Sequence, residues 1–399
     1  MLKQDVCSPC DSGVNVYIGL EHIESGRFFV RSFGKPDQVV SSKNRFAIND
    51  ILYGKLRPYL DKAAVMEVDG ICSTDILVFT PKNKIPPIYI VALLHTDQFI
   101  QYAKQTTNGV NHPRTSWASL REFPIQIPPM LEKQKIAAVL FKTQKAIELQ
   151  ESIIELTREL KKSTLHRVFT NGLRGEKLKE TEIGQIPKSW EVVRLGEFTS
   201  VITKGSSPKW QGFDYCREGV PFIRSQNVGD GTLLLDEIAY LPISFNEKEK
   251  RSIIHTGDLL INLVGASIGR VAIADERVNG ANMNQAVAIV RFKDSSLLSW
   301  FVMNYLLTTR GQEEISFNKK EIARANISLS DINGFVIPKP MEKEQEQIVQ
   351  IFRTIDEKIE LHTANKSTLQ DLFKTMLNKL MTGKIRVKDL GIDVSEVET

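Results

Sequence analysis

The chain has 399 residues, 42% of them apolar, 25% charged and 8% aromatic, with a formal net charge of +4. That balance belongs to a soluble protein with length for two or three domains. It excludes a histone-like electrostatic grip and leaves clustered Lys and Arg as the route to a nucleic-acid partner. No apolar run nears the eighteen or so residues of a membrane span; the longest short one is Ile88 to Leu94. Met1-Leu2-Lys3-Gln4-Asp5 has no apolar signal segment. The expectation is a cytoplasmic protein with no membrane partner.

Cys7-Ser8-Pro9-Cys10 has the spacing of a zinc half-site or a redox pair. Cys72 and Cys216 stand alone, however, and residues 1–15 offer no strand–helix setting, so the four read as incidental thiols with no metal site. Residues 11–128 read as short strands and turns. Val14 to Leu20, Arg27 to Phe33 and Asp75 to Thr80 have β-branched and aromatic strand character. Pro86-Pro87 leads into an apolar helical segment, Ile88 to Phe99. Trp117-Ala118-Ser119-Leu120 and a strand from Pro124 to Ile127 close this α/β or α+β domain.

Two stretches of roughly forty residues, about Glu132 to Thr170 and Glu344 to Thr382, are copies of each other at a shift of 212 positions. Ile147-Glu148-Leu149 falls on Ile359-Glu360-Leu361, and Phe169-Thr170 on Met381-Thr382. A 3,4 spacing runs through Phe352, Ile355, Ile359, His362, Lys366, Leu369, Phe373, Met376 and Leu380. The same frame picks out Leu140, Thr143, Ile147, Gln150, Ile154, Thr157, Lys161, Thr164 and Val168. Such a repeat over more than four heptads predicts a coiled-coil seam. Neither stretch contains Pro or Gly, and Pro-containing lead-ins precede both. Each helix should be roughly 55–60 Å long, with the other copy as the partner for its stripe.

After the first long helix, Thr170-Asn171-Gly172-Leu173-Arg174-Gly175 reads as a C-cap and linker. A second globular part, opened by residues 186–196, repeats the plan of the first. Ile48 to Leu60 resembles His255 to Ile268, Asp75 to Phe79 sits where Ala286 to Val290 does, and Leu297 to Leu307 replaces the Ile88 helix. The predicted segments are 1–128 (domain one), 129–172 (helix one), 173–338 (connector and domain two), 339–382 (helix two) and 383–399 (tail). This tandem duplication predicts a pseudo-two-fold molecule. Its copies differ most in the globular parts.

No catalytic constellation stands out. Gly265-Ala266-Ser267-Ile268-Gly269-Arg270 has neither the spacing nor the Lys of a P-loop. No G-x-G-x-x-G follows a strand, and the amino-methyltransferase tetrapeptide and H-E-x-x-H are absent. Glu247-Lys248-Glu249-Lys250 reads as a solvated charged loop. Polar, basic and aromatic residues concentrate in loops: 54–59 and 106–114 in the first domain, and 203–210, 224–227, 282–285 and 318–320 in the second. Their Arg, Lys, Asn and Gln suit base edges, and their Ser, Thr and Lys suit phosphates.

The arrangement resembles the DNA-specificity subunit of type I restriction–modification systems. The likeness rests on Ile-Pro-Pro-Met-Leu-Glu-Lys-Gln at 127–134, Tyr-Gly-Lys-Leu-Arg-Pro-Tyr-Leu at 53–60 and Ile-Cys-Ser-Thr-Asp at 71–75. It extends to 172–190, to Val-Pro-Phe-Ile-Arg-Ser-Gln-Asn-Val at 220–228 and to Leu-Met-Thr-Gly-Lys-Ile at 380–385. The resemblance implies two target-recognition domains separated by two long helices in an antiparallel coiled coil. Each domain would read half of a bipartite, asymmetric duplex site, with the helices as a ruler for the spacer. It also implies a non-catalytic subunit that binds double-stranded DNA and two copies of a methyltransferase subunit, and that a motor-nuclease subunit can join. S-adenosylmethionine, ATP and Mg would belong to those partners. Segments near 172–186 and 383–399 would be docking surfaces.

The residues expected to contact DNA are Lys55, Arg57, Tyr59, Asn111 and Arg114 in domain one. In domain two they are Ser206, Lys209, Arg224, Asn262, Asn284, Lys319 and Lys320. Gln150 and His362, polar residues in mid-seam, are expected to lie close together and fix register. One departure from the family is visible: residues 1–15 carry no counterpart of the 186–196 entry segment. The competing expectation is a coiled-coil scaffold whose two domains bind proteins rather than DNA.

Overall fold

The computed structural model describes residues 2–3, 5–82, 84–317 and 326–397. These fall into two compact units, Met1–Ile153 with His362–Thr399, and Ile154–Leu361. The long helices are continuous, Met130–Asn171 and Glu342–Met381, close to their predicted bounds. The division of units nevertheless falls inside both helices, so each unit is a globular domain carrying part of each helix. Glycines follow the last turns at left-handed angles, Gly172 at φ 64° and Gly383 at φ 69°, where a side chain would be strained.

Unit one contains β1 (Leu2–Lys3), β2 (Val6–Cys7), β3 (Tyr17–Ile18), β4 (Lys43–Phe46), β5 (Ile51–Gly54), β6 (Ala63–Val65), β7 (Gly70–Cys72) and β8 (Ile76–Phe79). They form sheets of order β1-β8-β5-β6 and β2-β4-β7-β3. Unit two contains β9 (Leu178–Thr181), β10 (Gly184–Pro187), β11 (Glu191–Arg194), β12 (Thr199–Lys204), β13 (Val220–Ile223), β14 (Ala239–Leu241), β15 (Leu259–Asn262), β16 (Val271–Ile273), β17 (Asn282–Met283), β18 (Val287–Phe292) and β19 (Val336–Lys339). Its sheet β12-β18-β15-β16 repeats the first sheet of unit one strand for strand. The parallel pair β13–β17 likewise repeats β3–β7. The duplication read from the helices therefore extends to the sheets.

In each unit the helix stripe enters the globular core. Ile136, Leu140 and Ile147 of the first helix, with Phe373, Leu377 and Leu380 of the second, pack with Ile51, Tyr53, Phe79 and Val91. In unit two, Leu165, Val168, Phe169, Ile348 and Phe352 pack with Leu259, Val290, Phe301 and Phe335. The helices run antiparallel. In unit one Glu132 meets Arg386 and, further along, Gln150 meets His362. In unit two Lys161 meets Asp356 and Arg174 meets Glu344. Of the predicted seam, Leu140, Ile147, Ile154, Val168, Phe352, Phe373 and Leu380 are buried. Gln150, Ile355, Ile359, His362, Leu369 and Met376 are half-buried. The heptad frame omits Ile136, Leu165, Phe169, Ile348 and Leu377 because the stripe widens where the helices also face a domain.

Several short elements differ from expectation. Val14 to Leu20 supplies only Tyr17–Ile18 as strand, and Arg27 to Phe33 supplies a single bridge, Phe29 to Val65. The Ile88–Phe99 helix is two helices, Pro87–Leu94 and Asp97–Gln105, because the Thr96 side chain caps the second by accepting from the Phe99 amide. Pro124 to Ile127 is not a strand. Its counterpart β19 pairs with β11, and the described residues of unit one include no strand equivalent to β11.

Trp190 introduces β11 and is fully buried, edge-on to Phe169 and Phe301. Trp190→Ala should cost about 3–5 kcal/mol in the urea unfolding of unit two. A loss below 1 kcal/mol would deny the tryptophan this anchoring role.

Candidate nucleic-acid interface

In domain one the chain leaves β5 into the segment holding Lys55, Arg57 and Tyr59. The loop 106–115 is zipped onto it. The Lys55 carbonyl accepts from the Thr115 amide at 3.0 Å, the Arg57 amide donates to the Pro113 carbonyl at 2.8 Å, and Leu56 bridges Arg114. Asn108 and Arg114 exchange backbone hydrogen bonds across a turn in which Gly109 takes φ 95°. All five predicted side chains are thereby gathered on one surface. Arg57, Tyr59, Asn111 and Arg114 are exposed and Lys55 is half-buried. Val110 and His112, both exposed beside Asn111, join them without having been singled out.

Two features tune this surface. Arg114 grips Asp75 through Nε–Oδ1 at 2.9 Å and Nη2–Oδ2 at 3.1 Å, and that hydrogen bond holds the Asp75 carboxyl below its ordinary value. Arg114 therefore braces the loop, while Arg57, also exposed, has no side-chain partner among the described residues. Arg57 also sits at φ 50° in the left-handed region. That conformation costs a side-chain-bearing residue roughly 1–2 kcal/mol, a strain typical of positions fixed for function. The turn ends at Asp61, whose carboxylate accepts from Nδ1 of buried His95 at 2.6 Å.

Domain two divides its predicted residues differently. Lys209 is exposed beside Trp210, which is 90% exposed. Ser206 is buried and donates to Glu249 at 2.8 Å. Asn262 is fully buried, its amide donating to the Ser225 carbonyl at 2.8 Å. Arg224 is half-buried and donates to the Glu237 carbonyl at 3.0 Å, while the Asn284 carboxamide accepts from the Ala286 amide. Ser206 and Asn262 therefore tie loops to the scaffold instead of facing solvent, and Arg224 and Asn284 are partly spent the same way. Lys319 and Lys320 lie outside the described residues. The 247–250 run is not wholly solvated, because Glu249 is buried against Ser206. Its neighbours Lys248, Lys250 and Arg251 are exposed, and Lys248 holds the loop by donating to the Gln211 carbonyl at 3.0 Å. These cations and Trp210 form a basic, aromatic surface that only the folded loop brings together.

A family model described as the type I restriction modification DNA specificity domain matches residues 2–158 and 187–371. The chain belongs to that family. It is a type I specificity subunit, concerned with DNA target recognition and without catalysis of its own. A Methanocaldococcus jannaschii relative, the type I restriction enzyme MjaVIII specificity subunit, is 28% identical over 81% of this chain and 76% of its own length. The Escherichia coli EcoBI specificity subunit is 24% identical over 72% of this chain and 64% of its own. The fold is that of the type I S subunit from M. genitalium, with TM-score 0.58, 16% identity, and coverage of 95% of this chain and 96% of the other. Among the described residues no helix is long and apolar enough to cross a membrane.

In this specificity subunit the reading domain is fastened to both helices at one carboxylate. Glu151, on the first helix, accepts from Arg27 at 2.7 Å, from Arg31, and from Lys366 of the second helix at 3.0 Å. Burial raises its pKa, but the hydrogen bonds from Arg27, Lys366 and Arg31 outweigh that and bring it down to about 2. Since the unfolded carboxyl titrates near 4.3, this stabilisation is complete above about pH 4.5 and is lost as pH falls towards 2. Glu151→Gln should cost about 1–2 kcal/mol at pH 7. Its deficit in denaturant unfolding should narrow between pH 4.5 and 2, whereas a pH-independent deficit would place the effect in packing.

Proposed function

We propose that this subunit reads a bipartite, asymmetric duplex site and recruits methyltransferase and motor-nuclease subunits to it. The observation that carries this reading is the repetition of one scaffold with unlike loops. The two sheets match strand for strand, yet one domain presents Lys55, Arg57 and Tyr59 and the other Lys209 and Trp210. Identical surfaces would read a palindrome; dissimilar ones read two different half-sites. A continuous helix of 42 residues is roughly 60 Å long, against about 34–36 Å for a turn of duplex, so the helices serve as the ruler between half-sites.

Recruitment is supported by apolar residues the chain leaves uncovered. Leu149, Leu156 and Leu160 share one face of the first helix at spacings that return to the same side, and all are exposed. Leu361 and Leu372 do likewise on the second. Exposed leucines in register on a helix mark a surface for a partner helix. In the proposed complex the methyltransferase copies bring S-adenosylmethionine, and the motor-nuclease brings ATP and Mg.

Mapping methylated adenines in the source genome should yield a split motif with two different halves and one fixed spacer. With that duplex, inserting one base pair into the spacer should lower binding by tenfold or more in a band shift with the methyltransferase present. Equal binding at every spacer length would sink the ruler. Arg57→Ala should weaken specific binding by about 1–3 kcal/mol if it holds a guanine edge. A uniform loss on all sequences with a smaller salt slope would assign it to phosphate instead.

A further inference from the structure

The junction between the helices Pro87–Leu94 and Asp97–Gln105 of unit one places a histidine where it can act on the reading surface. His95 follows the last turn of the first helix, its amide donating to the Val91 and Ala92 carbonyls, and Thr96 caps the second. His95 is 4% exposed, buried at the point where one helix stops and the next begins. Its ring stacks on Phe28 with centroids 5.9 Å apart, and Phe28 packs edge-on to Phe373 of the second long helix. Nδ1 lies 2.6 Å from Oδ1 of Asp61, while Nε2 lies 3.1 Å from the Ala63 carbonyl and 3.2 Å from the Arg27 carbonyl. The imidazole thus brackets two segments. One connects β5 to β6, and the other carries Arg27, whose side chain donates to Glu151 of the first long helix.

The first of those segments is strained. Between β5 and β6 the chain makes the short turn Pro58–Leu60, with Arg57 before it at φ 50° and Asp61 after it at φ 51°. Residues with side chains stay in the left-handed region only where their surroundings over-determine them. Arg57 is held by its amide on the Pro113 carbonyl and by its carbonyl, which accepts from the Leu60 amide at 2.9 Å. The Asp61 amide donates to the Pro58 carbonyl at 3.1 Å, its carbonyl accepts from the Gly26 amide at 3.2 Å, and its carboxylate is held by His95. Without that last contact residue 61 can relax to an ordinary backbone conformation. The turn then opens from its far end, and Arg57 loses the hydrogen bond on its carbonyl.

We propose that His95 and Asp61 are positioning residues for DNA reading: their contact holds the Arg57–Asp61 turn in the one conformation that aims Arg57 at a base edge. The proposal rests on the reading of Arg57 as a DNA contact and names what makes that contact selective. An arginine on a loosened turn keeps its charge, so attraction to phosphate survives. A bidentate contact with a base edge is lost, because it needs the guanidinium fork in a fixed place. The bracket therefore serves discrimination between sequences more than gross affinity. Because the same ring grips the Arg27 carbonyl, it also fixes the turn relative to Glu151 and the first long helix.

Two substitutions at Asp61 separate the contact from the charge and the backbone. Asp61→Asn and Asp61→Gly both remove a negative charge, which by itself favours DNA binding, and both residue types tolerate a left-handed φ. Only asparagine keeps an oxygen within reach of Nδ1. The test is a band shift with the full chain, its methyltransferase subunit, and duplex carrying either the mapped split motif or a scrambled one. On the motif, Asp61→Asn should bind within about threefold of the parent and Asp61→Gly about tenfold or more weaker. On scrambled duplex neither should be weaker than the parent. In the Arg57→Ala background Asp61→Gly should cost nothing further. Without DNA, the Leu60 and Asp61 amides should exchange hydrogen faster in Asp61→Gly than in Asp61→Asn. Equal motif binding by the two variants, equal exchange, a loss shared by scrambled duplex, or the full loss repeated beside Arg57→Ala overturns the proposal and leaves the DNA reading standing. A parent chain with no preference for the motif overturns that reading itself, and the positioning role with it.

Discussion

Everything in the molecule is referred to the antiparallel register of its two long helices, and buried charge at the helix ends sets that register. Glu132, 2% exposed at the start of the first helix, is held by Arg386 just beyond the end of the second, with contacts of 2.6 and 2.5 Å. Glu344, 1% exposed at the start of the second, accepts from the Leu173 amide at 3.2 Å and lies 3.6 Å from Arg174, just beyond the end of the first. The two devices are copies at the 212-residue shift. Apolar stripes tolerate sliding by a turn, since one leucine replaces another. A buried carboxylate does not, because a slip leaves it without its cation at a cost of several kcal/mol.

Between these ends the register is read again by polarity. Nδ1 of His362 lies 2.7 Å from Oε1 of Gln150, a residue in contact with its own copy in the repeat. In an antiparallel pair of like helices only residues at the centre of the repeat can meet this way. A polar pair within an apolar seam lowers stability slightly in exchange for specifying alignment. Glu151, next to Gln150, then passes the alignment to the reading domain through Arg27 and Arg31. A shift of the helices would strain the loop that carries those arginines before it disturbed the sheets.

The scaffold was legible in the sequence because it repeats and because helices announce themselves by period. The 212-residue shift came from matching residues, the helix bounds from Pro lead-ins and a glycine cap, and the seam frame from spacing. Short strands were poorly legible. Tyr17–Ile18 and Leu2–Lys3 are two residues each, and their pairing depends on partners far along the chain. The reading surface was legible by composition but not by direction. Lys55, Arg57, Tyr59, Asn111 and Arg114 do converge, yet Asn262 and Ser206, of equally suitable chemistry, point inward to satisfy Ser225 and Glu249. A buried polar side chain must find a partner, and no local pattern tells which asparagine will serve the loop behind it. The Lys248–Arg251 run, read as a solvated charged loop, was missed for the complementary reason, since only the fold sets Lys248 against the Gln211 carbonyl next to Trp210 of the 203–210 loop.

That division of labour explains how one scaffold carries two specificities. Asn262 and Lys55 leave neighbouring places on equivalent strands, β15 and β5. One is turned inward to hold the 225–228 turn, and the other, half-buried, holds a loop by its backbone. In domain one the turn beyond β5 is braced by Asp75 and Arg114, which leaves the Arg57 side chain unspent. In domain two the bracing is done by Asn262, Arg224 and Asn284, and the exposed cations move to the 209–211 and 248–251 loops. Exchanging which residues brace and which project changes the surface without touching β1-β8-β5-β6 or its copy. Loops can therefore diverge between repeats while the helices, whose every buried charge must still find its partner, remain alike.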